Sequence, residues 1–344
     1  MAGEMNPRER WGLLLIDEFP DRPPVYPLIT SHSADIYGCG VDKYCTNGDI
    51  LADSQLKAQE IYGHDGLSVF SDVGIIAEAM GSTYHISISE VPILNRPIIK
   101  DISAIGSLKV PDPGSSGRMP VYLKAIDKMY NAAGDYLPIF AYVPCPFTTA
   151  AGLRGVDEFL MDTIMEPAAV HDLLEISLQA AIRFCDECIL AGALPILVDP
   201  LASGSVISRK TFSEFALSYN KRLISYLHRY DLDITLHICG DTSSIYDLIP
   251  ETGADLFSLD QLDLSTAVNK IGDSLRLVGN LSPNKLLASS EMPIDHECSR
   301  IIENGISNKK GFVFSTGCEV PIRLDRSKLE TFIRLGKDMR YDKK

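Results

Sequence analysis

Eight short apolar, β-rich runs recur along this chain, and the stretches between most of them carry apolar residues at helical spacing. The runs are 23–30 (PPVYPLIT), 66–72 (GLSVFSD), 138–147 (PIFAYVPCPF), 194–200 (LPILVDP), 233–240 (DITLHICG), 256–261 (LFSLDQ), 276–281 (RLVGNL) and 311–319 (GFVFSTGCE). Six are almost unbroken in apolar character, as strands of a parallel sheet covered on both faces are. Parallel neighbours need crossovers, and 52–62, 167–191, 210–230, 243–252 and 325–339 read as helices that supply them. The pattern predicts an α/β fold: a single (β/α)8 TIM barrel over 1–344, opened by a helical segment at 1–22. An insertion after the second strand, 82–137, interrupts the alternation with Pro92, Pro97, Pro111 and Pro113, some β character in STYHISI and a helix over 121–132. An open doubly wound sheet is the competing architecture. Its dinucleotide-binding form is weakened because no G-x-G-x-x-G follows the first run.

The length of 344 residues suits one barrel, whose core needs no disulfides. A net charge of −14 repels nucleic acid and anionic membranes, which excludes both as partners. No run of about 18 apolar residues offers a membrane span. The opening MAGEMNPRERWGLLLIDEF lacks the apolar centre of an export signal. A cytoplasmic location is expected, where the eight cysteines serve as ligands, nucleophiles or packing.

Three of those side chains form a pattern. His237 and Cys239 sit two apart in LHICG at the end of the fifth run, so on a strand both point the same way. Cys318, in STGCE, ends the eighth run at an equivalent height. One imidazole and two thiolates are a normal zinc set, and three protein ligands leave a coordination position for substrate. Asp260, in SLDQ at the end of the sixth run, is a candidate displaceable fourth ligand. The bland alternative is that these are core residues, as an isolated H-x-C usually is. Two other pairs in the chain illustrate it. His296 and Cys298 fall on a predicted helix, where positions two apart diverge, and Cys185 and Cys188 read as packing in an amphipathic helix.

The motifs FSDVGIIAEAMG (70–81), PCPFTTAAGLRG (144–155), DPLASGSVISRKTFSEF (199–215), LHICGDT (236–242), ETGADLFSLDQ (251–261), VGNLSP (278–283) and STGCEVP (315–321) resemble the uroporphyrinogen decarboxylase superfamily over almost the whole chain. The resemblance implies the barrel fold and separates two branches. Decarboxylases hold a polycarboxylate tetrapyrrole with arginines just after the first strand, yet no arginine lies between Arg22 and Arg96 here. The decarboxylase tyrosine falls on Gly152 and its late histidine on Cys318, while its aspartate survives as Asp72. Many buried carboxylates without fixed cations are prohibitively costly. The cobamide-dependent methyltransferase branch, which includes methylcobamide:coenzyme M methyltransferases and O-demethylase components, carries H-x-C with a distant cysteine. His237, Cys239 and Cys318 match that motif, and Asp260 sits near that branch's carboxylate. Glu319, directly after Cys318, departs from the small residue expected there.

What the resemblance implies is Zn2+ held by His237, Cys239 and Cys318. With it the chain transfers a methyl group between a corrinoid (methylcobalamin-type) protein and a small molecule. That molecule is either a thiol acceptor such as coenzyme M or a donor such as a phenyl methyl ether. None of the seven histidines has Asp two positions before it, as a corrinoid-binding D-x-H-x-x-G requires. The corrinoid is therefore expected on a separate protein docked over the C-terminal face. Positions at strand ends supply further candidates. Asp72, Asp260 and Asn280 are read as catalytic or orienting residues, and His32, Asp199 and Tyr142 as contacts for substrate or cofactor. Asp199 is equally suited to capping a loop, and Tyr142 and Phe147 to packing. Two alternatives stay open: a metal-free decarboxylase, and a non-catalytic docking subunit with a structural zinc.

Overall fold

The computed structural model describes residues 4–287 and 294–341. The first three residues of the predicted segment 1–22 therefore fall outside it. Seven parallel strands form one sheet: β1 (Leu67–Val69), β4 (Ile139–Pro144), β5 (Leu194–Val198), β6 (Thr235–Ile238), β7 (Leu256–Leu259), β8 (Arg276–Leu281) and β9 (Phe312–Thr316), hydrogen-bonded in that order. Between β1 and β4 the chain leaves the sheet. There it forms the antiparallel hairpin of β2 (Thr83–His85) and β3 (Ile93–Arg96), a 3-10 segment Ile102–Ser107 and the helix Met119–Ala133.

The expected first strand, 23–30, is not a regular one. It makes one parallel bridge, Val25 to Phe314 on β9. The reason is its three prolines, which donate no hydrogen bond. Residues between and after them carry the contacts. Tyr26 N donates to Phe314 O, Phe314 N to Pro24 O, and Asp65 N, just before β1, to Val25 O. The curled sheet thus has both edges facing the same segment. A second correction concerns 243–252, which forms only two 3-10 turns, Tyr246–Leu248 and Pro250–Thr252. Helices Gly48–Tyr62, Pro167–Leu190 and Arg326–Asp338 lie where helical spacing placed them, and 210–230 is helical with a π-helical stretch at Phe212–Leu217.

Two cores result. One lies between sheet and helices and takes in Cys185 and Cys188. The other fills the inside of the curl with residues such as Tyr26, Phe140, Tyr142, Ile196 and Val278, closed at its base by Trp11 and Leu14 of the helix Pro7–Leu15. That helix is fastened by Asp65, which is almost fully buried. Its carboxylate takes Arg10 Nη1 at 3.0 Å, Arg22 Nη1 at 2.6 Å and Val25 N at 2.7 Å, while its carbonyl takes Trp11 Nε1 at 2.8 Å. Among the described residues no helix is long and apolar enough to cross a membrane.

Candidate metal centre

β6 ends at Ile238, so His237 is its penultimate residue and Cys239 lies just beyond it. Cys318 follows β9 by two residues. The curl brings these ends together. One ligand atom from each of His237, Cys239 and Cys318 lies within 4.8 Å of the others. His237 is buried, and its Nδ1 sits 2.9 Å from Ser258 Oγ. Ser258 is the register partner of His237 on β7, so the bond follows from strand pairing. With Nδ1 engaged, Nε2 is the nitrogen left to coordinate. The two thiols hydrogen-bond each other. That contact pulls Cys239 below its ordinary pKa and pushes Cys318 above it, while His237 acts the other way on Cys318. Two sulfurs and one nitrogen at this spacing fit a tetrahedral zinc site, in which Zn–S bonds of about 2.3 Å put neighbouring donors roughly 3.8 Å apart.

Beside the three donors opens a small cavity of about 80 Å³, walled by Leu28, Phe70, Val73, Tyr142, Val198 and Pro200. Glu319 also faces it. Thr30 Oγ1 donates to Glu319 Oε1 in a short hydrogen bond. Burial pushes this carboxyl above the usual range, with Thr30 and His237 pulling the other way.

The remaining expected residues are distributed differently. Tyr142 lines the cavity, its hydroxyl 3.0 Å from that of Tyr26. Asp260 lies beside the donors but is not among them. Its Oδ2 accepts from Gly240 N at 2.9 Å, bracing the turn after Cys239, and its Oδ1 would be 2.6 Å from a Cβ on residue 317, which is glycine. Asn280 Nδ2 donates to the carbonyls of Asp260 and Leu262 at 3.0 and 2.8 Å, so it braces the loop after β7. Asp72 is buried in an ion pair with Arg118 Nη1 at 2.7 Å, and Arg118 also donates to Glu78 at 2.6 Å. Asp199 takes Thr148 Oγ1 at 2.7 Å and Asn220 Nδ2 at 2.8 Å, the loop-fixing arrangement. His32 is fully buried with both ring nitrogens engaged, one by Ile322 O and one by Tyr62 hydroxyl, each at 2.9 Å. Neither it nor Asp199 lines this cavity.

Ser258, Thr30 and Arg118 were not singled out in the sequence. Only the register of β6 against β7 marks Ser258, since a serine within a strand carries no signal of its own. The hairpin adds a detail at Gly152: the Tyr84 hydroxyl stands 2.9 Å from where a Cβ on that residue would lie.

A family model described as uroporphyrinogen decarboxylase (URO-D) matches residues 7–339. The chain belongs to the URO-D family. Within that family it is 26% identical to a methylated-thiol–coenzyme M methyltransferase of Methanosarcina mazei, over 99% of this chain and 93% of that protein. It is also 26% identical to a uroporphyrinogen decarboxylase of Shewanella loihica, over 84% of this chain and 83% of that one. Among solved structures, a methyltransferase from Methanosarcina mazei superposes with a TM-score of 0.87 at 22% identity, covering 97% of this chain and 99% of that chain. A B12-independent methionine synthase from Shewanella sp. W3-18-1 gives 0.56 at 10% identity over 84% and 85%. These two structural likenesses concern the fold. These relatives include both a decarboxylase and a methyltransferase, so the site must distinguish them.

Proposed function

We propose that this chain is a zinc-dependent methyltransferase of the cobamide-dependent branch, moving a methyl group between a separate corrinoid protein and a small substrate. In this reading the curled sheet is a (β/α)8 barrel whose first stave is the proline-broken segment 23–30, with 82–137 as the insertion after its second stave. The observation that carries the reading is the convergence of His237, Cys239 and Cys318 on one side of a small cavity. His237, oriented by Ser258, offers Nε2. Cys239 and Cys318 supply the thiolates. Zinc bound there supplies Lewis acidity, enough to hold a substrate thiol as thiolate near neutral pH or to polarise a methyl ether oxygen. The apolar walls keep water from the reacting atoms, and the mouth is where a corrinoid protein would present its methyl group. The methylated-thiol–coenzyme M relative supports the same class.

The decarboxylase reading is disfavoured by the cavity itself, since among the described residues no lysine or arginine lines it to hold carboxylates. A purely structural zinc is disfavoured by the open space next to the donors. Metal analysis of the purified chain should give about one zinc, with methyl transfer from methylcobalamin to small thiols followed by the cobalamin spectrum. Cys239→Ser should lose most of that rate. A metal-free chain, or a Cys239→Ser variant at full rate, would end the proposal.

A further inference from the structure

Glu319 is an acidic side chain in the cavity beside the three donors, and the zinc site does not use it. Among the described residues no lysine or arginine shares the lining. Arg118 donates through Nε to Glu78 and through Nη1 to Asp72, its Nη2 is unpartnered, and it does not line the cavity. Among the described residues Glu319 takes one hydrogen bond, from Thr30 to Oε1, which leaves Oε2 without a protein donor. A partly buried carboxylate in that position is costly unless something cationic or hydrogen-bonding meets it. Two aromatic rings, Phe70 and Tyr142, also line the cavity, with centroids 5.2 Å apart and planes inclined by 48°. Aromatic rings attract organic cations.

Charge counting points the same way. Two thiolates and a neutral imidazole would make a bound divalent cation a neutral centre. A substrate bound as thiolate adds a negative charge. A sulfonate would add another that no cationic side chain of the lining meets, whereas an ammonium cancels one and can donate to Glu319.

We propose that Glu319 selects a substrate bearing an ammonium group a few atoms from its reacting heteroatom, and turns anionic substrates away. This rests on the methyltransferase reading above for the position of the reacting atom. It also sets the chain apart from the Methanosarcina mazei relative, whose name specifies coenzyme M, itself a sulfonate.

Three thiols of equal chain length test it: 2-aminoethanethiol, 2-mercaptoethanol and 2-mercaptoethanesulfonate. Each is titrated calorimetrically into the zinc-loaded chain. The cation should bind about tenfold tighter than the neutral thiol, with the anion weaker still. Glu319→Gln should bring the three within about threefold, and Glu319→Asp should keep the order. The proposal is overturned if the sulfonate binds the wild type as tightly as the amine, or if Glu319→Gln preserves the ranking. Running the series on metal-stripped protein separates the two claims. An ammonium preference that survives stripping and disappears in Glu319→Gln supports the role of Glu319 alone. Failure of the zinc reading shows itself independently, as purified protein without metal.

Discussion

His237 depends on a residue that never touches the proposed metal. Ser258 Oγ holds its Nδ1, which fixes both the ring orientation and the nitrogen presented to the cavity. Partners of this kind set ligand affinity, and their loss typically costs 10–100-fold. Ser258→Ala should therefore weaken zinc binding by about that factor in a chelator competition, with the thermal unfolding of the metal-free chain little changed. Period two along β6 was enough to put His237 and Cys239 on one side. Asp260 was harder to read. Its carboxylate is drawn to Gly240 N because residue 317, across the curl, has no side chain to keep it away. That is a contact between chain segments far apart in sequence, and no local pattern encodes it. His32 illustrates the opposite trap. A histidine just past the first run looks available, yet Tyr62 and Ile322 consume both nitrogens.

The N-terminal helix Pro7–Leu15 closes the base of the curl only because Asp65 gathers two arginines and a backbone amide around one carboxylate. Asp65 and both guanidinium groups are buried. Removing the carboxylate leaves Arg22 buried without its close partner, while Arg10 keeps its two bonds to Asp21; breaking a buried pair in this way typically costs about 3–5 kcal/mol. Asp65→Ala should lose about that much in urea unfolding, without displacing the metal ligands at the opposite end. Strand positions were legible as apolar runs, and helices as periodic ones. The first run misled because its prolines leave apolar content intact while removing the amides a ladder needs. The 3-10 turns at Tyr246–Leu248 and Pro250–Thr252 misled for a similar reason, since Pro250 cannot donate within a continuing helix.

For the molecule as a whole, acid stability should carry the mark of His64. Burial pushes this imidazole down to about 4, and its Nδ1 has no hydrogen-bond partner. In the unfolded chain it protonates near 6.5, so below that pH the unfolded state holds the extra proton. The stability associated with neutral His64 is complete above about pH 6.5 and is lost as pH falls towards 4. The shift corresponds to roughly 3 kcal/mol over that window. Denaturant titrations of wild type and His64→Gln should diverge in their pH slopes there. Equal slopes would place the acid sensitivity elsewhere.

The bridge between Val25 and Phe314 joins residues near opposite ends of the polypeptide. A nascent chain still short of Phe312 has already emerged with Val25 and β1, but β8 is paired on one side only, with β7, and the segment 23–30 lacks its partner on β9. On the ribosome the sheet stays an unsealed ribbon until β9 has been made. Premature termination anywhere upstream of β9 should then yield aggregates rather than a smaller working protein, and chaperone demand should fall once β9 has emerged.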